Sequence, residues 1–216
     1  MSSNASATED GTTGSEAVTR PAGRPSLGQR LADVVTSVGH SPDFTATRNE
    51  HIRGRLALVQ LFFALGFLAW IPLDYFMFDS EQARAVMVAR IVLAVVLFVL
   101  WRVNRTAHAH GVTEALVGAT LLAIALFHAV SVAILSGTTA DELLGGYRAL
   151  PFVLVVLTAL FPMTLIMGVS LIAMILTLYV GVELYLGALL TMASFNTLWM
   201  LVLVGAVVLW IQSGQL

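Results

Sequence analysis

Long apolar runs separated by short polar segments make up most of this chain. A helix needs about 20 apolar residues to cross a hydrocarbon core of about 30 Å. On that scale we predict six membrane-spanning helices, over residues 56–78, 83–101, 112–135, 149–161, 165–186 and 197–210. Pro162 separates the fourth helix from the fifth, because proline lacks the backbone donor that would continue a helix. The predicted fold class is all-α, an integral membrane bundle of six transmembrane helices.

Composition supports a membrane location. Hydrophobic residues are 58% of the chain, charged residues are 11%, and the mean hydropathy is +0.88. Soluble domains carry about 25% charged residues, so a soluble fold is excluded. Cysteine is absent, which rules out disulfides, thiolate catalysis and cysteine-ligated metal clusters.

The arginines predict the orientation of the bundle. Arg48, Arg53 and Arg55 precede the first apolar run, and Arg102 and Arg105 follow the second, whereas the loops on the other side carry acidic residues. Positive charge is retained in the cytoplasm, so we predict that both termini are cytoplasmic. The last two crossings have no basic flank, and their orientation follows only from counting helices.

The chain divides into two parts. Residues 1–47 are rich in Ser, Thr, Gly and Ala and are predicted to be a disordered cytoplasmic region. Within it, residues 27–38 have weak helical periodicity, compatible with a short amphipathic helix on the membrane surface or with a partly ordered linker. Residues 48–216 form the predicted transmembrane domain.

Ionisable and tyrosine side chains collect in the outer half of the predicted bundle. Such residues are costly inside a membrane and are by default candidates for function. We expect Asp74 and Arg90 to form a buried ion pair, because a short loop joins their helices, and Tyr179 and Glu183 to share a helix face. The candidate ligand-binding residues are Asp74, Arg90, His128, Tyr147, Arg148, Tyr179 and Glu183. They predict either an outward-opening polar cavity or a set of groups that satisfy one another and fix helix packing.

His128 raises a separate hypothesis. A neutral imidazole in an apolar helix is a common axial ligand of haem, so a haem b site in a membrane sensor or electron-transfer protein is one alternative. The other histidines lie at the membrane edge or in the N-terminal region, so a second axial ligand would come from a methionine or a second protomer. No cofactor is expected under the leading interpretation. A small free-standing transporter is the remaining alternative, although the two halves show no internal repeat.

Enzyme signatures are missing from the sequence. It contains no phosphate-binding glycine loop, no His-Glu-x-x-His pair and no nucleophile elbow around a serine. We therefore predict no catalytic residue in this chain and no nucleic-acid partner.

Several short motifs resemble a known family. They are the Arg-Gly-Arg at 53–55, the Trp-Ile-Pro-Leu-Asp at 70–74, the Ala-Arg-Ile at 89–91, and the exit Leu-Trp-Ile-Gln at 209–212 followed by Gly-Gln-Leu at 214–216. With the six-helix plan, they resemble the MASE-type membrane sensor regions of bacterial diguanylate cyclases (GGDEF proteins). Similar six-helix anchors precede class III adenylate cyclases.

The resemblance implies a role in signalling. It implies a homodimeric sensor and dimerisation module in a bacterial inner membrane, which regulates a nucleotide cyclase, most specifically one that makes cyclic di-GMP. The signal would be a small molecule or a physical stimulus from the periplasmic side or the membrane. Because the last helix continues as a polar stretch after Trp210, we expect a cytoplasmic output domain to follow Leu216.

Overall fold

The computed structural model describes residues 42–106, 112–136, 147, 149–161, 163–187 and 191–213. Over these ranges the chain is all-helical and contains no strand. The six helices are α1 (Pro42–Met77), α2 (Ser80–Thr106), α3 (Val112–Leu135), α4 (Leu150–Thr158), α5 (Leu165–Tyr185) and α6 (Met192–Ser213). Residues 1–41, which include most of the predicted disordered region, lie outside the described part, as does Arg148.

Five of these helices are long and apolar enough to cross a membrane, which indicates a multi-pass membrane protein. The exception is α4, whose 9 residues extend only about 14 Å at about 1.5 Å per residue. It is shorter than the predicted segment 149–161. Pro151 lies in its first turn, and tighter turn geometry replaces the α-helix from Ala159 to Phe161.

Other helix boundaries also differ from the prediction. Helix α1 begins at Pro42, well before residue 56, and so carries the three arginines that were expected to precede it. Helix α6 begins at Met192 and ends at Ser213, longer at both ends than the predicted 197–210. The predicted interruption near residue 162 is confirmed, because α4 ends at Thr158 and α5 begins at Leu165.

Helices α1 and α2 form an antiparallel hairpin, as predicted. At one end, the Arg53 guanidinium donates to the Asn104 carbonyl oxygen, and Asn104 Nδ2 donates to the Arg53 carbonyl oxygen at 3.0 Å. At the other end, Arg90 meets Asp74. Helix α3 packs on this hairpin and also contacts α4 and α5, while α6 packs on α4 and α5. Helix α3 therefore lies between the α1–α2 hairpin and the α5–α6 pair.

Several polar contacts define one end of the bundle, which we call the arginine end. Arg48 Nη2 lies 2.9 Å from Glu114 Oε1, and Arg55 Nη1 donates to the Leu160 carbonyl oxygen at 2.5 Å. Gln212 Nε2 donates to the Thr158 carbonyl oxygen at 2.7 Å. The beginning of α1 and the end of α6 therefore lie at the same end of the bundle.

The packing of side chains fits a lipid environment. An apolar core that includes Leu56, Leu97, Leu121 and Ile175 fills the space between the helices. Large apolar side chains also cover the outside, and Phe62, for example, is 72% exposed. Soluble monomers rarely expose apolar patches of more than a few hundred Å². The outer surface is therefore suited to contact with acyl chains.

Candidate functional site

A buried ion pair joins α1 to α2 toward the end of the bundle opposite the arginine end. Arg90 Nε donates to Asp74 Oδ2 at 2.6 Å, and Arg90 Nη2 donates to Asp74 Oδ1 at 3.0 Å. Asp74 is fully buried and Arg90 is 3% exposed. This two-pronged geometry is the strongest arrangement available to an arginine and a carboxylate. The predicted pair is thus present, and each charge compensates the other away from water.

Three aromatic rings surround the same guanidinium. Arg90 Cζ lies 5.7 Å from the ring centre of Phe67, 5.5 Å from that of Phe127 and 5.8 Å from that of Tyr147. Arg90 Nη2 also donates to the Tyr147 hydroxyl oxygen at 2.7 Å. Aromatic faces attract cations most strongly where water is excluded. The arginine is therefore held by groups from α1, α2, α3 and the segment before α4.

Local sequence explains this convergence. Phe67 and Asp74 are separated by about two helical turns, which places them on one face of α1. The α1–α2 turn is tight, since the Phe78 amide donates to the Asp74 carbonyl oxygen at 2.9 Å and the Ala83 amide to the Asp79 carbonyl oxygen at 2.8 Å. A short turn keeps the two helices in register. The carboxylate near the end of α1 consequently meets the arginine on α2.

His128 lies beside this cluster on α3. It is 4% exposed, and the backbone of Tyr147 lies close to it. Its Nδ1 atom has no hydrogen-bond partner among the described residues. The imidazole thus lies next to the aromatic residue that contacts Arg90, and its Nδ1 atom is available to another group.

Tyr179 and Glu183 form a second polar cluster, between α5 and α6. Both side chains are 3% exposed, so they share the buried face of α5 as predicted. Ser194 Oγ donates to Glu183 Oε2 at 2.5 Å, and Thr191 Oγ1 donates to Ser194 Oγ at 3.0 Å. The Tyr179 hydroxyl donates to the Ser194 carbonyl oxygen at 3.5 Å. The carboxylate is therefore bound by the first turn of α6.

The predicted site residues fall into these two clusters. Asp74, Arg90, His128 and Tyr147 lie together, whereas Tyr179 and Glu183 lie on the far side of α3. Helix α3 packs against both the α1–α2 hairpin and α5, and no hydrogen bond or ion pair between described residues joins the two clusters. Arg148 is assigned to neither cluster, since it lies outside the described residues.

A cleft of about 400 Å³ opens next to Arg90. Among the described residues, Arg90 and Tyr147 supply its only charged or hydroxyl groups, and neither His128 nor Glu183 lines it. Ligand pockets commonly have volumes of about 300–1,000 Å³. Aromatic side chains form most of the wall: Phe62, Phe63, Phe67, Trp70 and Phe127. This cleft is therefore mainly apolar, and the polar cavity predicted from His128, Glu183 and the tyrosines stays a prediction.

Some residues of these sites were not predicted. Phe67 shares the Asp74 face of α1, which helical spacing indicates, whereas no sequence signal distinguishes Phe127 from the other phenylalanines. Ser194 was missed because the sixth helix was predicted to begin at residue 197. Gln212 was predicted to lie in the polar stretch that follows the sixth helix, but it lies within α6 and is 1% exposed.

The chain was compared with known families, curated proteins and solved structures. No protein-family model, curated protein or solved structure matches the chain. In the described part of the chain, no group of three or more His, Cys, Asp or Glu side chains could hold a metal ion. Function must therefore be inferred from the sequence motifs and from the geometry of the two clusters and the cleft.

Proposed function

We propose that this chain is a membrane sensor and dimerisation module that regulates a nucleotide cyclase, most specifically a diguanylate cyclase, in a bacterial inner membrane. The motif resemblance supplies the class of output. One structural observation supports the role of a sensor, namely the fixed position of the end of α6.

The proposed topology has six crossings with both ends in the cytoplasm. Tyr147 contacts Arg90, and the Leu160 carbonyl oxygen accepts a hydrogen bond from Arg55. The chain around α4 thus runs from the opposite end of the bundle back to the arginine end, although its helix is short. Arginine-rich flanks favour the cytoplasm, and α1 begins where α6 ends. An output domain following α6 would share that side.

The proposal rests on the contacts of the Gln212 side chain near the end of α6. Its side chain is 1% exposed, and its Nε2 donates to the Thr158 carbonyl oxygen at 2.7 Å. A methyl group added at Gly168 would collide with Gln212 Oε1 and would lie 3.1 Å from Leu209 Cδ2, so α5 and α6 pack closely here and the Gln212 amide would have to move. The last turn of α6 is therefore fixed to α5 and to the end of α4.

The α5–α6 pair connects this contact to the Glu183 cluster. The added methyl group at Gly205 would lie 3.0 Å from Ile172 Cγ2, so the two helices also pack closely between the ends. A ligand shifts such a pair only by binding one arrangement better than another. A difference of about 1.4 kcal/mol changes the ratio of the two arrangements tenfold. Displacement at Glu183 and Ser194 would move the end of α6 and any domain attached to it.

A fusion experiment tests the output role. A diguanylate cyclase domain is joined in helical register after Ser213, and cyclic di-GMP production is measured while residues are inserted at the junction. A helix turns once in about 3.6 residues. Insertions of about half a turn are expected to change the rate of cyclic di-GMP production. Insertions of about one full turn are expected to restore the original rate.

The matched control is a fusion through a flexible Gly/Ser linker of equal length. That linker cannot transmit rotation, so its activity is expected to be insensitive to added residues. Helical insertions that leave cyclic di-GMP production equally unchanged would contradict the proposal that α6 is the output element.

The haem hypothesis remains the second candidate. It is favoured by one observation, the unpartnered Nδ1 of the buried His128. The described cleft is not lined by that residue, so a porphyrin would require space elsewhere along α3.

A further inference from the structure

The aromatic cleft has features that neither the motif resemblance nor the output proposal explains. It is lined by the side chain of a nearly fully buried arginine, Arg90, and by a wall of phenylalanine and tryptophan rings. We propose that it binds a neutral, flat-ringed carbonyl compound that is dissolved in the bilayer, with the chemistry of a quinone head group.

Arg90 supplies the polar recognition. Its Nε and Nη2 atoms are engaged by Asp74 and Tyr147, whereas Nη1 donates no hydrogen bond to any described residue. An arginine has five N–H donors and no acceptor, so the unused donors require an acceptor oxygen. Arg90 itself forms part of the cleft wall. A ligand in the cleft would therefore place an acceptor, such as a carbonyl oxygen, at Nη1.

The charge balance selects a neutral ligand. Asp74 already compensates the charge of Arg90 at 2.6 Å. A carboxylate in the cleft would add a second negative charge beside Asp74 where water is excluded, and like charges repel strongly in a low-dielectric site. A carbonyl oxygen accepts the same hydrogen bond without that cost. Fatty acids and other anions are consequently disfavoured.

The position and shape of the cleft favour a flat-ringed ligand that enters from the lipid bilayer. Arg90 lies about 15 Å along α2 from Ser80, at about 1.5 Å per residue, and its guanidinium meets Asp74, which lies about one turn from the end of α1. Two cleft residues on α1, Phe62 and Trp70, are 72% and 51% exposed, so the opening faces acyl chains. Aromatic rings stack favourably on other flat rings. A flat ring therefore matches this wall better than a flexible acyl chain.

Two glycines on α1 provide a matched test. A Cβ added at Gly66 or at Gly54 would meet no heavy atom within 4 Å, so either helix position accepts a larger residue. Only Gly66 lines the cleft. The substitution Gly66→Leu places its side chain in the cleft, whereas Gly54→Leu makes the same chemical change near the arginine end.

The measurement is quenching of Trp70 fluorescence in lipid nanodiscs by decylubiquinone, in a background with Trp101, Trp199 and Trp210 changed to phenylalanine. Saturable quenching is expected. The quinone concentration that gives half-maximal quenching, the midpoint, should rise at least about tenfold in Gly66→Leu, equivalent to about 1.4 kcal/mol. It should stay unchanged in Gly54→Leu. Decylbenzene, which has no carbonyl, and decanoic acid should compete weakly with the quinone.

Each other outcome overturns the proposal. Quenching that rises linearly without saturation would mean that the quinone only partitions into lipid. Equal midpoints in Gly66→Leu and Gly54→Leu would place binding elsewhere, and equal competition by decylbenzene would leave no role for Arg90. A changed oligomeric state in Gly66→Leu without a changed midpoint would assign the cleft to a second copy of the chain. The test does not use a cyclase, so its failure is distinguishable from failure of the proposed function.

Discussion

The substitution Asp74→Asn is expected to lower the free energy of unfolding by about 3–5 kcal/mol, because it leaves a buried arginine uncompensated. The change keeps the size of the side chain and removes only the charge. Asp74 is fully buried and contacts Arg90 through both carboxylate oxygens, so no water can replace the lost interaction. The measurement is reversible unfolding in mixed detergent micelles, followed by far-ultraviolet circular dichroism.

The double variant Asp74→Asn/Arg90→Gln distinguishes pairing from simple packing. It removes both charges, so it is expected to be more stable than Asp74→Asn alone. The control is Glu81→Gln, which removes an exposed carboxylate in the first turn of α2 and should cost less than about 1 kcal/mol. If the double variant lost as much stability as the two single variants together, the charges would be uncoupled and this description of the site would be wrong.

The substitution Gly168→Ala is expected to release the last turn of α6. The added methyl group would occupy the position of Gln212 Oε1 and would approach Leu209 Cδ2 to 3.1 Å. The displaced amide is expected to pull Nε2 away from the Thr158 carbonyl oxygen, and losing such a buried bond costs about 1–3 kcal/mol. A spin label on a cysteine at Ser213, which is exposed, should become more mobile.

Gly181 on the same helix is the matched control. A Cβ there would meet no heavy atom within 4 Å, so Gly181→Ala should leave the label mobility unchanged. Alanine also has a higher helix propensity than glycine, by about 1 kcal/mol. Equal mobility in Gly168→Ala and the parent protein would show that Gln212 does not restrain the end of α6.

The apolar pattern predicted the spanning helices well where it was long and uninterrupted. Helix α3 covers the predicted 112–135, and the interruption near Pro162 follows from proline chemistry. The prediction was less accurate for α4, because proline in the first turn and tight turns after Thr158 limit the α-helical hydrogen bonds. Hydropathy measures how apolar a segment is, and it does not report where regular hydrogen bonding ends.

The candidate site was predictable only in part. The Asp74–Arg90 pair followed from a short loop between two helices, which is a local property of the sequence. The separation of Glu183 from Arg90 depends instead on α3 packing between the two helix pairs, and sequence spacing carries no such information. The aromatic cleft likewise requires rings from distant segments to meet. Phenylalanine is so common in apolar helices that its position alone does not indicate a site.

Coupling between the Glu183 cluster and the end of α6 is the central claim of this account. Glu183→Gln weakens the hydrogen bond from Ser194 Oγ, because a neutral amide is a poorer acceptor than a carboxylate. Leu184→Ala is the control, since that neighbouring side chain is 60% exposed. The chain contains no cysteine, so two labels can be placed selectively.

The decisive measurement is the distribution of distances between spin labels on cysteines at His51 and Ser213, two exposed positions at the arginine end. It is recorded by pulsed electron paramagnetic resonance in lipid nanodiscs. The account predicts that Glu183→Gln shifts or broadens this distribution, whereas Leu184→Ala leaves it unchanged. Identical distributions in the parent protein and in a folded Glu183→Gln variant would contradict it.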